Sequence, residues 1–393
     1  MQRLFIVGAK RTPFGTFGGA LKDVTASSLA VTATRAALEQ ANVSPKLVDS
    51  VIVGNVQQTQ ADAAYLARHV GLQSGVPIPV PALTLNRLCG SGFQTVISAA
   101  QEILLGESSL VVAAGTESMS QAPYVVRNIR FGSKLGVDPK MEDSLWAGLS
   151  DTHCGLPMGI TAENLAEIYQ VTRAECDNFA LSSQQKWGDA HKAGVFAGEL
   201  APVTIKTRKG DKIFNCDEHP KLDTTSEGLG KLPTVFKPNG TVTAGSASGI
   251  CDGAGAIIVA GEAAVDLHKL KPMVELVAWH VVGVEPSQMG IGPVPAIEGA
   301  LRKAKLTLEE VDFVEINEAF AAQALACAKA LSLPLEKLNL HGGAIALGHP
   351  LAASGSRITA HAANVLATKG SGTAVVSACI GGGQGIALVL RAC

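Results

Sequence analysis

The chain has 393 residues, of which 47% are hydrophobic and 17% are charged, and its formal net charge is −2. A chain of this length and apolar content can bury one or two large cores, and it suggests two or three structural units. The near-neutral charge gives no overall attraction to nucleic acid, and no apolar run reaches the roughly 18 residues of a membrane span. We therefore expect no nucleic-acid partner and no integral membrane segment.

Eight cysteines are spread along the chain, and no two of them are spaced as Cys-x-x-Cys. This spacing argues against a zinc knuckle, a thioredoxin-type motif and a disulfide framework, and it suggests a reducing compartment. The start, Met1-Gln2-Arg3, leads directly into a predicted strand without a secretory signal. We expect no metal and no permanently bound cofactor.

The predicted elements occur twice. A single offset of 263 positions aligns four pairs of segments: 37–41 with 300–304, 48–51 with 311–314, 91–92 with 354–355, and 111–113 with 374–376. Four matches in one register indicate an internal duplication. In each half a helix is followed by a Val-Asp-x-Val strand, a glycine-rich turn, a second helix and another apolar strand.

Strands that alternate with helices predict βαβ units around a buried, largely parallel sheet. Two such halves can pack as a five-layer α/β/α/β/α core, so the predicted fold class is α/β. The region 120–249 lies outside the repeat, and we interpret it as an inserted loop domain that binds the ligand. The predicted N-terminal half is then 1–119 plus 250–271, and the predicted C-terminal half is 272–393.

Cys89 lies in Asn-Arg-Leu-Cys-Gly-Ser-Gly at the predicted start of a helix. The thiolate is the reactive form of cysteine, and a helix N-terminus lowers the pKa of a thiol. The glycines at 90 and 92 free backbone amides to act as donors and let a substrate approach the backbone. A lone cysteine in this setting is more often a buried structural residue, so Cys89 gains weight only from the other motifs.

Three further motifs follow along the chain. Asn317 comes directly after the apolar segment 313–316 and can hold a water or a carbonyl oxygen, although alone it would indicate a helix cap. His349, in a Gly-His-Pro turn, can take a proton from a thiol and stabilise an oxyanion. Cys379 ends a predicted strand, and its thiol can act as an acid and a base, while the amide of Gly381 can donate to an oxyanion. If these pieces meet, they form a two-thiol site that makes or breaks carbon–carbon bonds.

Together, these motifs and the duplicated halves resemble the thiolase family over essentially the whole chain. The segments 9–15, 65–72 and 115–124 are similar to the mitochondrial 3-ketoacyl-CoA members of that family. The resemblance implies an acyltransferase of fatty-acid β-oxidation, which uses CoA to cleave a 3-ketoacyl-CoA into acetyl-CoA and a shortened acyl-CoA. It also implies the reverse Claisen condensation, a homodimer or homotetramer, and the mitochondrial matrix, with the cytoplasm as the alternative.

The resemblance also assigns roles to residues. It implies that Cys89 is the acylated nucleophile, that His349 activates it, and that Cys379 moves protons at the α-carbon of the acetyl unit. It implies one oxyanion hole formed by His349 and a water on Asn317, and another formed by the amides of Cys89 and Gly381. The residues that it matches to CoA or acyl contacts are Met158, Lys221, Ser248, Met289 and Phe320.

The chain departs from the family pattern in places. Ala352 replaces a glycine in the motif that begins at Gly348, so the local turn needs a negative φ. Pro157 precedes Met158, where short-chain members often have a histidine, and Lys221 stands where arginine is common. The acyl chain length and the prevailing direction of the reaction are therefore left open.

Three alternatives remain beside this interpretation. A biosynthetic acetoacetyl-CoA thiolase would share all the motifs. A ketoacyl synthase-like condensing enzyme would use one cysteine, so Cys379 argues against it. A non-catalytic lipid- or RNA-binding relative would not need Cys89, Asn317, His349 and Cys379 intact. No phosphate-binding P-loop and no dinucleotide fingerprint is present in the sequence, so nucleotide hydrolysis and hydride transfer lose support.

Overall fold

The computed structural model describes residues 2–393. The first stretch contains β1 (Leu4–Arg11), β2 (Gly15–Thr16), α1 (Ala26–Gln40), β3 (Ser50–Gly54), α2 (Leu66–Gln73), β4 (Ala82–Leu85), α3 (Ser91–Leu105) and β5 (Leu110–Ser118). The second contains β6 (Tyr124–Val126), β7 (Met141–Asp143), α4 (Ser144–Gly148), β8 (Ser150–Asp151), β9 (Leu156–Pro157), α5 (Met158–Ile168), α6 (Arg173–Lys192), β10 (Val203–Thr207), β11 (Gly210–Phe214) and α7 (Ser226–Gly230). The third contains β12 (Cys251–Gly261), α8 (Glu262–His268), β13 (Val274–Gly283), α9 (Pro293–Ala304), β14 (Phe313–Ile316), α10 (Ala321–Leu331), α11 (Ala344–Leu347), α12 (Leu351–Lys369), β15 (Thr373–Ile380) and β16 (Gln384–Ala392).

Ten strands form one central sheet in the order β14-β15-β16-β13-β1-β12-β5-β3-β4, with β2 paired to β12. The order β3-β5-β12-β1 is mirrored by β14-β15-β16-β13, and the two sets join where β1 pairs antiparallel with β13. The offset of 263 places β3 on β14, α3 on α12 and β5 on β15. This mirrored order is what the duplication in the sequence predicts.

The prediction of a largely parallel sheet is wrong. β3 runs parallel to β4 and β5, and β14 runs parallel to β15, but the remaining pairings are antiparallel. In the second half the reason is the turn 381–383 between β15 and β16. A connection this short can join only antiparallel strands, and Gly382 and Gly383 supply the positive φ values of 77° and 80° that the turn requires.

The sheet halves and helices stack in five layers, as predicted. Helices α3 and α12 lie between the two halves, where Phe93 and Ile358 join one apolar cluster with the inward side chains of both. Helices α1 and α2 cover the outer face of one half, and α9 and α10 cover the outer face of the other. The central helices touch because they carry glycine at the contact. A Cβ on Gly92 would lie 2.5 Å from the carbonyl oxygen of Ala352.

The segment between β5 and β12 leaves and rejoins the sheet at neighbouring strands. It contains three separate two-stranded ribbons, β6-β7, β8-β9 and β10-β11, together with the helices α4 to α7. Its predicted status as a separate loop domain with bounds 120–249 stays a prediction. Within residues 2–393, no helix has the length and apolar character needed to cross a membrane. The same range holds no group of three or more His, Cys, Asp or Glu side chains suited to a metal ion.

Candidate active site

A cavity of about 290 Å³ lies where the ends of strands from both halves meet the inserted segment. Cys89, His349, Cys379 and Gly381 all line it, although they are up to about 290 positions apart in sequence. A larger cavity of about 700 Å³ opens between α6 and α10, but it is lined by no cysteine or histidine. The smaller cavity is therefore the candidate site for thiol chemistry.

Cys89 sits in a tight loop directly before Gly90, which caps the N-terminus of α3. The preceding residue, Leu88, has a left-handed φ of 47°, a conformation that costs a non-glycine residue about 1 kcal/mol. Two side chains hold it there. Asn86 Oδ1 accepts the amide of Leu88 at 2.8 Å, and Ser91 Oγ donates to the Leu88 carbonyl at 2.7 Å. The strained loop fixes the backbone that presents the thiol, at the helix start that the sequence predicts.

The thiol of Cys89 is neutral in the resting protein. Burial raises its pKa to about 11, and the nearby Glu117 adds to the rise. The backbone amides of Gly381 and of Cys89 itself hydrogen-bond to the sulfur and lower the pKa by less. The backbone donors at the helix start thus lower the pKa of this thiol, but the desolvation of the thiolate outweighs them and the net shift is upward.

His349 is buried, and its two ring nitrogens have different partners. Nδ1 lies 2.6 Å from Ser354 Oγ, and Nε2 lies 3.4 Å from Asn317 Nδ2. An amide nitrogen can only donate, so this arrangement assigns the proton of the neutral ring to Nδ1 and leaves Nε2 as the acceptor. Burial, assisted by the charge of Arg357, lowers the pKa of His349 to about 3. The ring is therefore neutral and able to accept a proton.

Asn317 follows β14 directly, as predicted, and is fully buried. It does not line the cavity but lies behind His349, and its backbone amide donates to the Ser377 carbonyl of β15 at 3.0 Å. Among residues 2–393, no protein group donates to its Oδ1. The side chain is placed to orient the imidazole and still has one acceptor to offer.

Cys379 is the second-to-last residue of β15, at the strand end that the sequence predicts. Only 1% of it is exposed, and burial raises the pKa of its thiol well above the usual value. The next causes of that rise are the neighbouring sulfurs of Cys89 and Cys327. Cys379 and Cys89 thus share one cavity, and Cys89 contributes to the raised pKa of Cys379.

Four of the five residues predicted to contact CoA line the same cavity: Met158, Ser248, Met289 and Phe320. Ser248 Oγ donates to the Ala319 carbonyl at 3.1 Å, and the Phe320 ring meets Phe236 edge-on with centroids 6.3 Å apart. Lys221 does not line this cavity. It is exposed and borders a second cavity of about 310 Å³, which shares Ala244 with the first.

The sequence reasoning missed most of the apolar wall. The cavity is also lined by Met119, Trp146, Leu149, Val235, Phe236, Ile250 and Leu351. Met119 lies in the segment 115–124 and Leu351 in the motif that begins at Gly348, whereas the other five come from several elements and follow no motif. Ser354, whose hydroxyl contacts His349, could have been identified from the sequence, because it lies five residues beyond the histidine in the same motif. Ala352 lies in the first turn of α12, and its φ is not positive.

The family described as Thiolase, N-terminal domain matches residues 4–263, and Thiolase, C-terminal domain matches residues 270–392. The chain belongs to the thiolase family. It is 59% identical over 391 residues to a Bos taurus thiolase named "3-ketoacyl-CoA thiolase, mitochondrial", covering 100% of this chain and 98% of that protein.

Two solved thiolases have nearly the same fold. The human mitochondrial 3-ketoacyl-CoA thiolase in complex with CoA superposes with a TM-score of 0.97 at 57% identity, over 100% of this chain and 98% of the other. The Bacillus anthracis acetyl-CoA acetyltransferase gives a TM-score of 0.97 at 42% identity, over 100% and 99%. The five-layer fold predicted from the sequence is thus the thiolase fold.

Proposed function

We propose that this thiolase is a 3-ketoacyl-CoA thiolase, which transfers the acyl group of a 3-ketoacyl-CoA to CoA and releases acetyl-CoA. The observation that carries the proposal is the single cavity lined by two thiols, a neutral imidazole and the Gly381 loop. The higher identity to the mitochondrial 3-ketoacyl-CoA thiolase than to the acetyl-CoA acetyltransferase favours this substrate over acetoacetyl-CoA alone. No permanent cofactor enters the mechanism, and CoA is a substrate.

The first half-reaction forms an acyl-enzyme. His349 Nε2 takes the proton of the Cys89 thiol as the sulfur attacks the 3-keto carbon, because neither group is charged at rest. The amides of Cys89 and Gly381, which lower the pKa of the Cys89 thiol, donate to the oxyanion that forms. When the Cα–Cβ bond breaks, the electron pair passes to the acetyl-CoA enolate. The protonated His349 and a water on Asn317 stabilise the enolate oxygen.

The second half-reaction returns the enzyme to its starting state. Cys379 gives its proton to the enolate carbon, and acetyl-CoA leaves. The Cys379 thiolate then takes the proton of a new CoA thiol, whose sulfur attacks the acyl group on Cys89. The bond between the acyl carbon and Cys89 breaks, and the proton held by His349 returns to the Cys89 sulfur. This is covalent ping-pong catalysis, and every proton is accounted for.

Substitution of Cys379 separates the two half-reactions. We expect Cys379→Ser to retain acylation of Cys89, while exchange of the acetyl-CoA α-protons with deuterated water falls by about 10²-fold or more, since a general acid–base is removed. Intact-protein mass spectrometry measures acylation, and NMR measures exchange. Cys154→Ser, a half-buried free thiol outside the cavity, is the matched control. Loss of acylation with intact exchange would contradict the proposed role.

We assign the two adjoining cavities, which share Ala244, to CoA. In this proposal the pantetheine arm follows Met158, Ser248, Met289 and Phe320 to Cys89. The nucleotide end lies in the second cavity, where the exposed ammonium group of Lys221 is suited to a phosphate. Most of these walls belong to 120–249, which supports its interpretation as a loop domain for CoA.

We also propose that the chain is a homodimer. β4 ends the central sheet, so its outer edge has unpaired backbone groups, which are a template for another strand. Apolar side chains around that edge are exposed, Leu83 by 51% and Ile78 by 77%. The β6-β7 connection exposes Phe131 by 98%, which gives a second surface for a homotetramer.

We further propose that the protein works in the mitochondrial matrix, because the relatives that are 58–59% identical to it are named mitochondrial.

Oligomeric state tests this assembly. Sedimentation velocity should give two or four times the chain mass for the wild type. Leu83→Lys should shift the mass to that of one chain, because a desolvated ammonium group opposes strand pairing. Phe131→Ser should leave a dimer. A wild-type protein that sediments as a single chain at micromolar concentration would rule out the assembly.

A further inference from the structure

Glu117 is a buried carboxylate that lies beside the site but has no part in the steps above. It is the penultimate residue of β5, is fully buried, and does not line the cavity. Its charge nevertheless reaches the Cys89 thiol and raises the pKa of that group. A buried carboxylate is costly unless it is well bonded, so its contacts indicate its purpose.

Both carboxylate oxygens of Glu117 accept two hydrogen bonds. Oε1 accepts the backbone amide of Gln57 at 2.8 Å and Asn55 Nδ2 at 3.1 Å. Oε2 accepts the backbone amides of Val56 at 3.2 Å and Ala352 at 3.1 Å. Four donors saturate an ionised carboxylate, and three of them are backbone groups from two distant segments.

The two segments are the supports of the nucleophile and of the base. Val56 packs in the apolar cluster that contains Cys89 and Leu351. Ala352 is the second residue of α12, three residues beyond His349, and the same turn supplies Ser354, whose hydroxyl contacts the imidazole. One carboxylate thus spans from the wall behind the thiol to the helix start that fixes the imidazole.

The four donors favour the ionised form of Glu117, and burial opposes it. Burial raises the pKa of Glu117 to about 7, and the amides of Gln57, Ala352 and Val56 oppose that rise, with Asp252 on β12 the other charge that faces it. An acceptor at the first turn of α12 also satisfies an amide that has no partner within the helix. The bonds favour a group that can accept at both ends, which neither an apolar side chain nor an amide can do.

We propose that Glu117 is a positioning residue, whose carboxylate ties the Val56–Gln57 backbone to the first turn of α12 and so sets the distance between His349 and Cys89. The inference rests on the proposed thiolase reaction. Misplacement of catalytic groups by about 1 Å can cost 10²-fold in rate, while the CoA-binding walls, which Glu117 does not touch, should be unaffected. The signature is therefore a lower kcat at an unchanged KM for CoA.

Glu117→Gln tests the proposal, because its amide nitrogen must face one of the backbone donors. We expect kcat for thiolysis to fall by about 10²-fold, with KM for CoA within about twofold and a matching loss in the rate of Cys89 acylation. Glu163→Gln is the matched control. Glu163 is a buried carboxylate that accepts the amides of Thr241 and Val242, so it should lose stability similarly and keep kcat within about threefold.

A second variant keeps the test open if Glu117→Gln fails to fold. Glu117→Asp keeps the charge but is one methylene shorter, so it cannot reach both segments, and kcat should again fall. Folded Glu117 variants with wild-type kcat, or a loss no greater than that of Glu163→Gln, would overturn the positioning role. If the wild type shows no thiolysis at all, the proposed function fails instead, so the two failures are distinguishable.

Discussion

Cys89→Ala is expected to lower kcat for thiolysis by at least about four orders of magnitude, because in the proposed mechanism it removes the atom that carries the acyl group. Loss of the enolate absorbance of a 3-ketoacyl-CoA measures the rate. Intact-protein mass spectrometry should show an acyl adduct on the wild type and none on the variant. The fold should be unchanged, since Cys89 keeps part of its surface open to the cavity and an alanine fits the same space.

The control for this variant must show that the adduct is specific to the site. Cys154→Ala removes a half-buried thiol outside the cavity and should keep both the rate and the adduct. Cys393 is exposed and open to nonspecific acylation, so peptide mapping is needed to locate the adduct. A Cys89→Ala enzyme within tenfold of the wild-type rate would show that another group is the nucleophile.

The positions of these candidate site residues could be predicted from the sequence because each lies next to a helix start or a strand end. Cys89 precedes a glycine cap, Asn317 follows a strand, and Cys379 ends a strand before three glycines. Parallel strand ends collect at one edge of a sheet, and the duplication brings two such edges together. The fold class could be predicted from the same repeat. Val111 and Val112 pack on opposite sides of β5 and are equally buried, as expected for a sheet that is covered by helices on both faces.

The other features of the fold and the site depend on contacts between residues that are distant in sequence, so no short segment of the chain predicts them. The direction of β16 is set by the length of one turn, and the apolar wall of the cavity comes from side chains such as Trp146 and Phe236 that no spacing relates. The helix start predicts the donors that lower the pKa of Cys89, but not the larger rise from desolvation, which is a property of the whole packed site. Glu117 lies in the segment 115–124, which resembles the thiolase family, but only the structure shows that the amides of Val56 and Ala352 both donate to its carboxylate.

A second large effect is expected far from the cavity, at a buried charge cluster. Arg11, at the end of β1, bonds Glu199 at 2.6 Å and Asp217 at 2.7 Å. Glu199 Oε2 lies 2.7 Å from His361 Nδ1 on α12, and His361 Nε2 lies 3.0 Å from His341 Nδ1. The cluster joins the inserted segment to both the first strand and the helix that follows His349. Arg11, Glu199, Asp217 and His361 are almost fully buried, so each depends on the others for compensation.

Glu199→Gln should therefore lower the free energy of unfolding by about 3–5 kcal/mol at pH 7, because it removes the carboxylate that bonds His361 and one of the two buried carboxylates that bond Arg11. Urea denaturation followed by circular dichroism gives the change. Glu227→Gln, which removes an exposed ion pair with Lys231, is the control and should change stability by less than about 0.5 kcal/mol. A Glu199→Gln protein as stable as the control would show that the cluster does not hold the inserted segment in place.

The difference in stability between the wild type and Glu199→Gln should also depend on pH. Burial alone would raise the pKa of Glu199, but the charges of His361 and Arg11 outweigh it and lower that pKa to about 2, against an ordinary 4.5. The stability that comes from its ionisation is thus complete above pH 4.5 and is lost as the pH falls toward 2. The difference in the free energy of unfolding between the wild type and Glu199→Gln should therefore narrow over that interval.

Because Glu199 also raises the pKa of His361, the variant should release the His361 proton at lower pH, which NMR of the imidazole would detect. An imidazole titration that is the same in both proteins would break the link between the two groups.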